Sequence, residues 1–347
     1  MFGPRLPIFV TAIAVLVSSQ PARAQPAERF YPGRQMVLIV GAAAGSGYDV
    51  IGRMVARYMG NYLPGKPSFI VRNMPGAGGV VAANYMNSVA DKDGAAIAVV
   101  GREAIFDTLF SGAQSKANFD ARRFLWLGTP NQEVGMAYAM TASGIRTIDD
   151  AKKREVAVAA AGATSGSAVF PRLVNALIDT RFKIISGYTG SMDALLAMER
   201  GEADARVVSG WAGPETNAVM EWVGRGKANL LLQIGINKHS GYPKIPHIMD
   251  LAKSQDDRKL MELLFAGQAV GRPFFGPPGV PADRGRALQE AFARTMDDPG
   301  FKSDAEKQKI ELTPLLADDI SRIVTQVYDT PTALLERAIQ ISAAAQK

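Results

Sequence analysis

The sequence predicts an α/β protein of two lobes, each a mainly parallel sheet flanked by helices. Three observations predict it. Short apolar runs recur along the chain, each ending in a loop of glycine, alanine and serine and then in residues at helical spacing. Three such units fall within the first hundred residues, which is the pattern of a parallel βαβαβ sheet. After a break the same order returns, and 347 residues are enough for two domains. All the small-residue loops then lie at the carboxyl ends of their strands, where open α/β sheets bind ligands. Two such edges facing each other make a cleft for a small molecule.

The chain opens with a segment to be set apart. Arg5 is a thin positive start, 6–17 is apolar, and Ala22-Arg23-Ala24 is a cleavage signal. Residues 1–24 therefore read as a cleaved secretory signal peptide. Loss of Arg5 and Arg23 lowers the formal charge from +6 to +4. That excess is spread out, with no basic block, and does not suggest nucleic acid. The chain has no cysteine, so an exported form relies on its core rather than on disulfides. No later stretch is long and apolar enough to span a membrane.

Residues 36–49 organise the first lobe. Val37, Leu38, Ile39 and Val40 are a continuous apolar run, as in a strand buried on both faces. The loop 41–47 has little side-chain bulk, and Val50, Ile51, Met54, Val55, Tyr58 and Tyr62 follow at helical spacing. The N–H groups that open such a helix lack partners and carry partial positive charge, a seat for an anion such as a carboxylate. Further strands are expected at 68–72 and 95–100, ending in the loops 73–79 and 101–102. Strands at 124–128 and 134–140 flank a crossing at 129–131. In the second lobe, strands are expected at 155–160, 182–185, 204–208 and 230–234. Their loops include 161–167, 187–191 and 209–211. Past His247 the chain is mainly helical. A helix is expected at 258–264, a strand-like piece at 269–275 and a helix at 282–296. The last stretch, 317–339, is divided by Pro331. The domains expected are 25–130, 131–250, and a segment 251–347 that returns to the first lobe.

These loops carry a resemblance. Residues 44–49 (AGSGYD) stand where the Bug receptors, the periplasmic solute-binding receptors of tripartite tricarboxylate transporters, have P-G-G-G-T/S-D. Residues 72–79 (RNMPGAGG) resemble that family's E-N-R-P-G-A-G-G, the most specific piece. Residues 160–167, 187–191 with 199–204, and 275–281 resemble three further family motifs. The resemblance covers nearly the whole chain after the leader. It implies a periplasmic-binding-protein-like fold with a ligand cleft between lobes, a small carboxylate ligand, and delivery to integral-membrane permease subunits. It also implies a grip through backbone N–H groups, hydroxyls and waters. The sequence departs from the family at the missing loop proline, at Tyr48, at Gly101-Arg102-Glu103, and at Arg206 and Trp211.

Gly45, Ser46 and Gly47 are the first candidate seat for a carboxylate, and Thr164, Ser165, Gly166 and Ser167 the second. The alternative for both is turn geometry and helix capping. Asn73, Gly76 and Gly78 line the first edge, or form a turn that needs glycine. Gly190 and Ser191 line the second. Asp49 reads as structural, capping its helix or pairing with Arg53. Tyr48, Tyr188 and Trp211 are cleft walls or packing residues. Arg102 and Arg206 could each fork a carboxylate; otherwise Arg102 is a solvated loop charge and Arg206 half of a structural ion pair.

No catalytic constellation accompanies these loops. Only His239 and His247 exist, without a nucleophile elbow or metal-ligand spacing. The glycine loops lack the dinucleotide and P-loop fingerprints. With the resemblance, the expected protein is a monomeric periplasmic receptor with no cofactor, no metal and no catalytic residue. A periplasmic sensor for a signalling partner is the alternative, and a periplasmic hydrolase a more distant one. The aromatic candidates favour a ring-bearing acid.

Overall fold

A computed structural model describes residues 25–162, 165–211 and 214–346. The cleavage signal and the rest of the leader lie outside the described residues.

Two mixed sheets form the frame. The first has six strands in the order β11-β4-β10-β3-β1-β2, the second five in the order β7-β6-β8-β5-β9. In the first, β1 (Gln35–Val40) lies between β2 (Ser68–Asn73) and β3 (Ala96–Val99), parallel to both. β4 is Leu125–Thr129 and β10 is Phe274–Gly276; β10 is antiparallel to both β3 and β4. β11, only Leu315–Leu316, closes the edge against β4. In the second sheet β6 (Val156–Ala160) runs parallel to β7 (Phe182–Ser186) and β8 (Ala205–Val208). β5 (Gly135–Met140) is antiparallel to β8 and to β9 (Ala228–Ile234). The parallel pairs are the strand–loop–helix units read from the sequence. The antiparallel ones come from strands that enter each sheet after a crossing.

The chain passes between sheets along two adjacent paths. Residues 130–134 leave β4 for β5, and 271–273 lead from the long helix Gln255–Val270 into β10. The paths are tied together: Arg272 N–H donates to Thr129 Oγ1 at 3.0 Å, and Thr129 Oγ1 donates to Asn131 O at 2.9 Å. Gly271 sits at φ +62°, where an added Cβ would lie 1.9 Å from Asn131 O, so only glycine fits this turn.

The 255–270 segment corrects two expectations. The helix begins three residues before 258 and continues through Val270, so the strand-like reading of 269–275 holds only for Phe274 and Phe275, in the strand Phe274–Gly276. The cause is burial from both sides. Phe265, Ala266, Ala269 and Val270 are almost fully covered, so the apolar run loses its helical period. Gln268 in this helix donates to Ser209 O at 2.8 Å and Ile234 O at 3.1 Å, while its backbone O accepts from Glu133 N–H at 2.9 Å.

Pro331 separates the helices Ala317–Tyr328 and Thr332–Gln346, as expected of a residue without an N–H. The last helix packs on Gly166–Ile178 beside the second sheet, where Arg172 Nη1 donates to Ala345 O at 3.1 Å. The helix Pro299–Lys307 was not anticipated, although Asp298 caps it through Phe301 N–H and Pro299 occupies its first turn.

Candidate functional site

The carboxyl ends of the first three strands are level, since Val40 pairs with both Asn73 and Val99. Their loops therefore share one edge. Ser46 caps the helix Gly47–Met59, its Oγ accepting from Asp49 N–H at 3.3 Å. The Asp49 side chain folds back onto the loop. It accepts from Gly45 N–H at 2.8 Å, Arg53 Nε at 3.0 Å and Asn73 Nδ2 at 2.9 Å. The Arg53 hydrogen bond is the main reason its carboxyl is held down to about 2. Ser46 is thus the cap and Asp49 the brace. Asn73 is committed to the brace and to Ala42 O at 3.0 Å. The first-turn N–H groups of Gly47 and Tyr48 have no acceptor within the helix.

Gly76, Gly78 and Gly79 all have positive φ, and a Cβ on Gly101 would lie 2.2 Å from Gly78 O. Loop closure therefore accounts for these glycines. Tyr48 links the first and third loops, its hydroxyl accepting from Arg102 N–H at 3.2 Å. Burial raises the tyrosine's pKa, which keeps it a neutral acceptor.

On the second edge, Ser165 stands at the N-cap of Gly166–Ile178 without a side-chain cap bond. Its hydroxyl donates to Gly162 O at 2.7 Å and lies 3.0 Å from that of Ser167, which accepts from Ala161 N–H at 3.1 Å. Thr164 lies outside the described residues. A Cβ on Gly166 would come 2.9 Å from Ser209 Oγ, so this loop touches the one that carries Trp211. Gly190 is the N-cap of Ser191–Glu199. Tyr188 packs against the cluster that holds Tyr138 and Trp211.

Arg206 is buried. Its Nε lies 2.8 Å from Glu215 Oε1, which also accepts from the Tyr138 hydroxyl at 2.5 Å, and its Nη2 lies 3.4 Å from Ser191 Oγ. This is the structural ion pair of the two readings. Arg102, by contrast, is not a solvated loop charge. It is 8% exposed and bonded to Glu133 and Glu103.

The two edges meet over a charged floor that sequence reasoning missed. Glu133, on the first crossing, accepts from Arg102 Nη1 and, at 2.9 Å, from Arg272 Nη2. A Cβ on Gly210 would lie 3.0 Å from Glu133, and one on Gly47 would lie 3.6 Å from Arg272 Nη2. One carboxylate thus joins the first loop of one sheet to the Trp211 loop of the other. Glu103, the second partner of Arg102, is largely solvated at 73% exposure. Two sheltered guanidinium groups therefore share one sheltered carboxylate, which leaves an excess of positive charge. Burial lowers the pKa of Arg272, with Arg102 adding to it, although a guanidinium stays charged. Arg272 also lies over the Tyr48 ring, 5.7 Å from its centroid. Arg272 Nε and Trp211 Nε1 are buried with no hydrogen-bond partner among the described residues, a state that costs about 1–3 kcal/mol for each group. Beside the floor opens a pocket of about 370 Å³, bordered by Glu133, Trp211, Lys238, His239, Arg272 and Glu311.

The fold is the two-lobed fold of the periplasmic-binding-protein type. No family model matches the chain. It is 25% identical to a UPF0065 protein in the gbd 5' region of Cupriavidus necator, over 97% of this chain and 96% of that one. A TctC solute-binding protein from Polaromonas superposes with a TM-score of 0.68 and 18% identity, covering 89% and 99% of the two chains. The periplasmic binding protein BugD superposes at 0.56 with 17% identity, covering 91% and 98%. MatC of Rhodopseudomonas palustris, solved with bound malate, superposes at 0.53 with 18% identity, covering 90% and 99%. The resemblance to Bug receptors of tripartite tricarboxylate transporters, read first in the loop motifs, is borne out.

Proposed function

We propose that this protein is a periplasmic receptor that captures a small carboxylate between its lobes and hands it to a tripartite tricarboxylate-type permease. The observation that carries the reading is the charged floor. Arg102 and Arg272 share the single sheltered carboxylate of Glu133 where the helix-opening loops of both sheets converge. An anion seated there balances the second guanidinium and meets the helix-opening N–H groups of Gly47 and Tyr48. The malate bound to a neighbour of the same fold supports this ligand class.

In this reading Gly45, Ser46, Gly47, Tyr48 and Arg102 grip from the first lobe. Thr164, Ser165, Gly166, Ser167, Tyr188, Gly190, Ser191 and Trp211 close from the second. Asn73, Gly76, Gly78 and Arg206 shape the walls from behind. The lobes turn about the crossings 130–134 and 271–273, and the ligand stabilises the closed form by its higher affinity for it. The leader 1–24 is removed on export, and the receptor works as a monomer. Binding rather than catalysis is favoured by loops that carry neither a nucleophile elbow nor metal-ligand spacing in the sequence.

The test is a thermal-shift screen of the chain from Gln25, unfolded and refolded to strip retained ligand, against small carboxylates including malate. Ligand at a hundredfold its Kd adds about 2.7 kcal/mol to the stability of the native state. A rise in Tm confined to one class of acids is expected, with compaction in solution scattering on saturation. A folded protein that no acid shifts would overturn the reading.

A further inference from the structure

The strand orders set the crossings between unequal arms. In the first sheet the crossings meet β4 and β10, with β3, β1 and β2 on one side and only β11 on the other. In the second sheet the chain enters at β5, with β8, β6 and β7 on one side and only β9 on the other. The registers level the ends that face each other: Leu315 pairs with Thr129, Met136 with Val208 and Gly135 with Ile234. The contacts follow the arms. Glu133 lies beside the loops after β3 and β8, at Arg102 and Gly210. The loop after β9 meets the segment before β11, where His239 Nε2 lies 2.9 Å from Glu311 Oε2. Next to that pair, Asn237 Nδ2 donates to Gln132 Oε1 on the first crossing. The candidate seats after β1 and β6 are therefore on one side of the crossings, and the His239–Glu311 pair is on the other.

Each partner is tied to its own sheet. Gln233, fully buried in β9, accepts from His239 N–H at 2.7 Å and donates to Tyr242 O at 2.9 Å and Ile245 O at 3.0 Å. The His239 ring lies 4.7 Å from that of Tyr242. Its Nδ1 accepts from Gly241 N–H at 3.0 Å, so Nε2 carries the proton that it donates to Glu311. Two residues past Glu311, Thr313 N–H donates to Pro130 O at 3.1 Å and the Thr313 hydroxyl accepts from Gln132 N–H at 2.8 Å. Pockets of about 650 and 370 Å³ both border Gln132 and Asn237, so open space adjoins this contact. Among the described residues, no hydrogen bond or ion pair joins the loops after β1 and β2 to those after β6 and β7. The side that is joined is the far one.

We propose that His239–Glu311, with Asn237–Gln132 beside it, is a counter-latch: it holds the receptor open and parts when the seats close. The proposal rests on the receptor reading and deepens it. Strands lie about 4.8 Å apart, which puts the pair about 5–7 Å from the crossings and the seats about 10–12 Å away on the opposite side. A turn about the crossings that brings the seats about 6 Å closer thus opens the pair by about 3 Å, enough to end its hydrogen bond. Apparent affinity falls with the fraction of the chain in the competent form, so the latch weakens binding and its release tightens it. Asn237, His239 and Glu311 set affinity in this way without touching the ligand.

The test has one readout without ligand and one with it. The chain has no cysteine, so Val89→Cys and Leu196→Cys, both exposed and on the helices that follow β2 and β7, carry two spin labels whose distance reports the lobes. That distance is measured by pulsed electron resonance on the refolded, ligand-free chain. Affinity is measured by calorimetric titration of the unlabelled chain with malate and with benzoate. Glu311 is half exposed, so Glu311→Ala leaves the core intact. It should raise the short-distance fraction, and tighten whichever acid binds, by about two- to fivefold. Adding Asn237→Ala should bring both effects to about tenfold. Glu311→Gln keeps an acceptor for Nε2 and should stay within twofold of the natural sequence. Weaker binding in Glu311→Ala would overturn the latch, because the pair would then belong to the closed form. Unchanged distances and affinities in the double variant would overturn it as well, leaving a surface contact only. If neither acid binds, the distances decide alone: a shift in the double variant upholds the latch, no shift overturns it, and the receptor reading is judged by the wider screen of acids.

Discussion

Replacing Glu133 with glutamine tests the charge balance at the cleft floor. The side chains concerned are sheltered: Arg102 is 10% exposed, Glu133 13% and Arg272 20%. Breaking a buried ion pair by removing one partner costs about 3–5 kcal/mol, because a charge is left uncompensated. Glutamine keeps the shape and one acceptor oxygen, so about 2–4 kcal/mol is expected for Glu133→Gln. For a cooperative unit of 150–250 residues that corresponds to a fall in Tm of about 4–16 °C. The assay is calorimetry of the refolded protein, alone and with a saturating acid from the screen. The variant should recover more stability from the acid than the natural sequence does, since a bound carboxylate supplies the missing negative charge. A loss under about 1 kcal/mol, the worth of a solvated pair, would refute the buried-charge argument. So would an acid-induced shift equal to that of the natural sequence.

Three further outcomes follow from the same geometry. Asp49→Asn should destabilise by about 1–2 kcal/mol at neutral pH, a figure discounted because Arg53 is about half exposed. The folded carboxyl lies at about 2, below its usual 3.8, so its contribution is complete above pH 4 and lost as pH falls through 2. In urea titrations the gap between the two proteins should therefore close from pH 4 to pH 2, and a gap constant over that range would dismiss the brace. Arg206→Ala strips Glu215 and the Tyr138 hydroxyl of their buried cation and should cost about 3–5 kcal/mol. Its acid affinity should stay within about threefold of the natural protein; a tenfold loss of affinity at unchanged Tm would instead make Arg206 a ligand contact. Gly101→Ala places a Cβ 2.2 Å from Gly78 O and should cost about 1–3 kcal/mol through a shift of the second and third loops. Unchanged stability by denaturant titration would show that these loops are not locked together.

Sequence alone determined the repeating units. Strands β1 to β9 lie within two residues of the expected runs, because each is a short apolar run and a small-residue loop marks the end of most of them. Ser46 and its loop were legible for the same local reason. Asp49 and Arg53 were legible as partners because four residues on a helix is contact distance. Tertiary structure decided what lies between the units. The helix through Val270 and the two-residue β11 take their form from both sheets and from β4, and neither carries a period of its own. Arg206 found Glu215 across a loop and a helix start, a partner that no local spacing announces. The sequence marked Arg102 as a charge, but its partner Glu133 lies 31 positions on, and Arg272 lies 139 positions beyond that. Charge is a property of the residue. Its compensation is a property of the fold, because only the two crossings bring these three side chains to the same place.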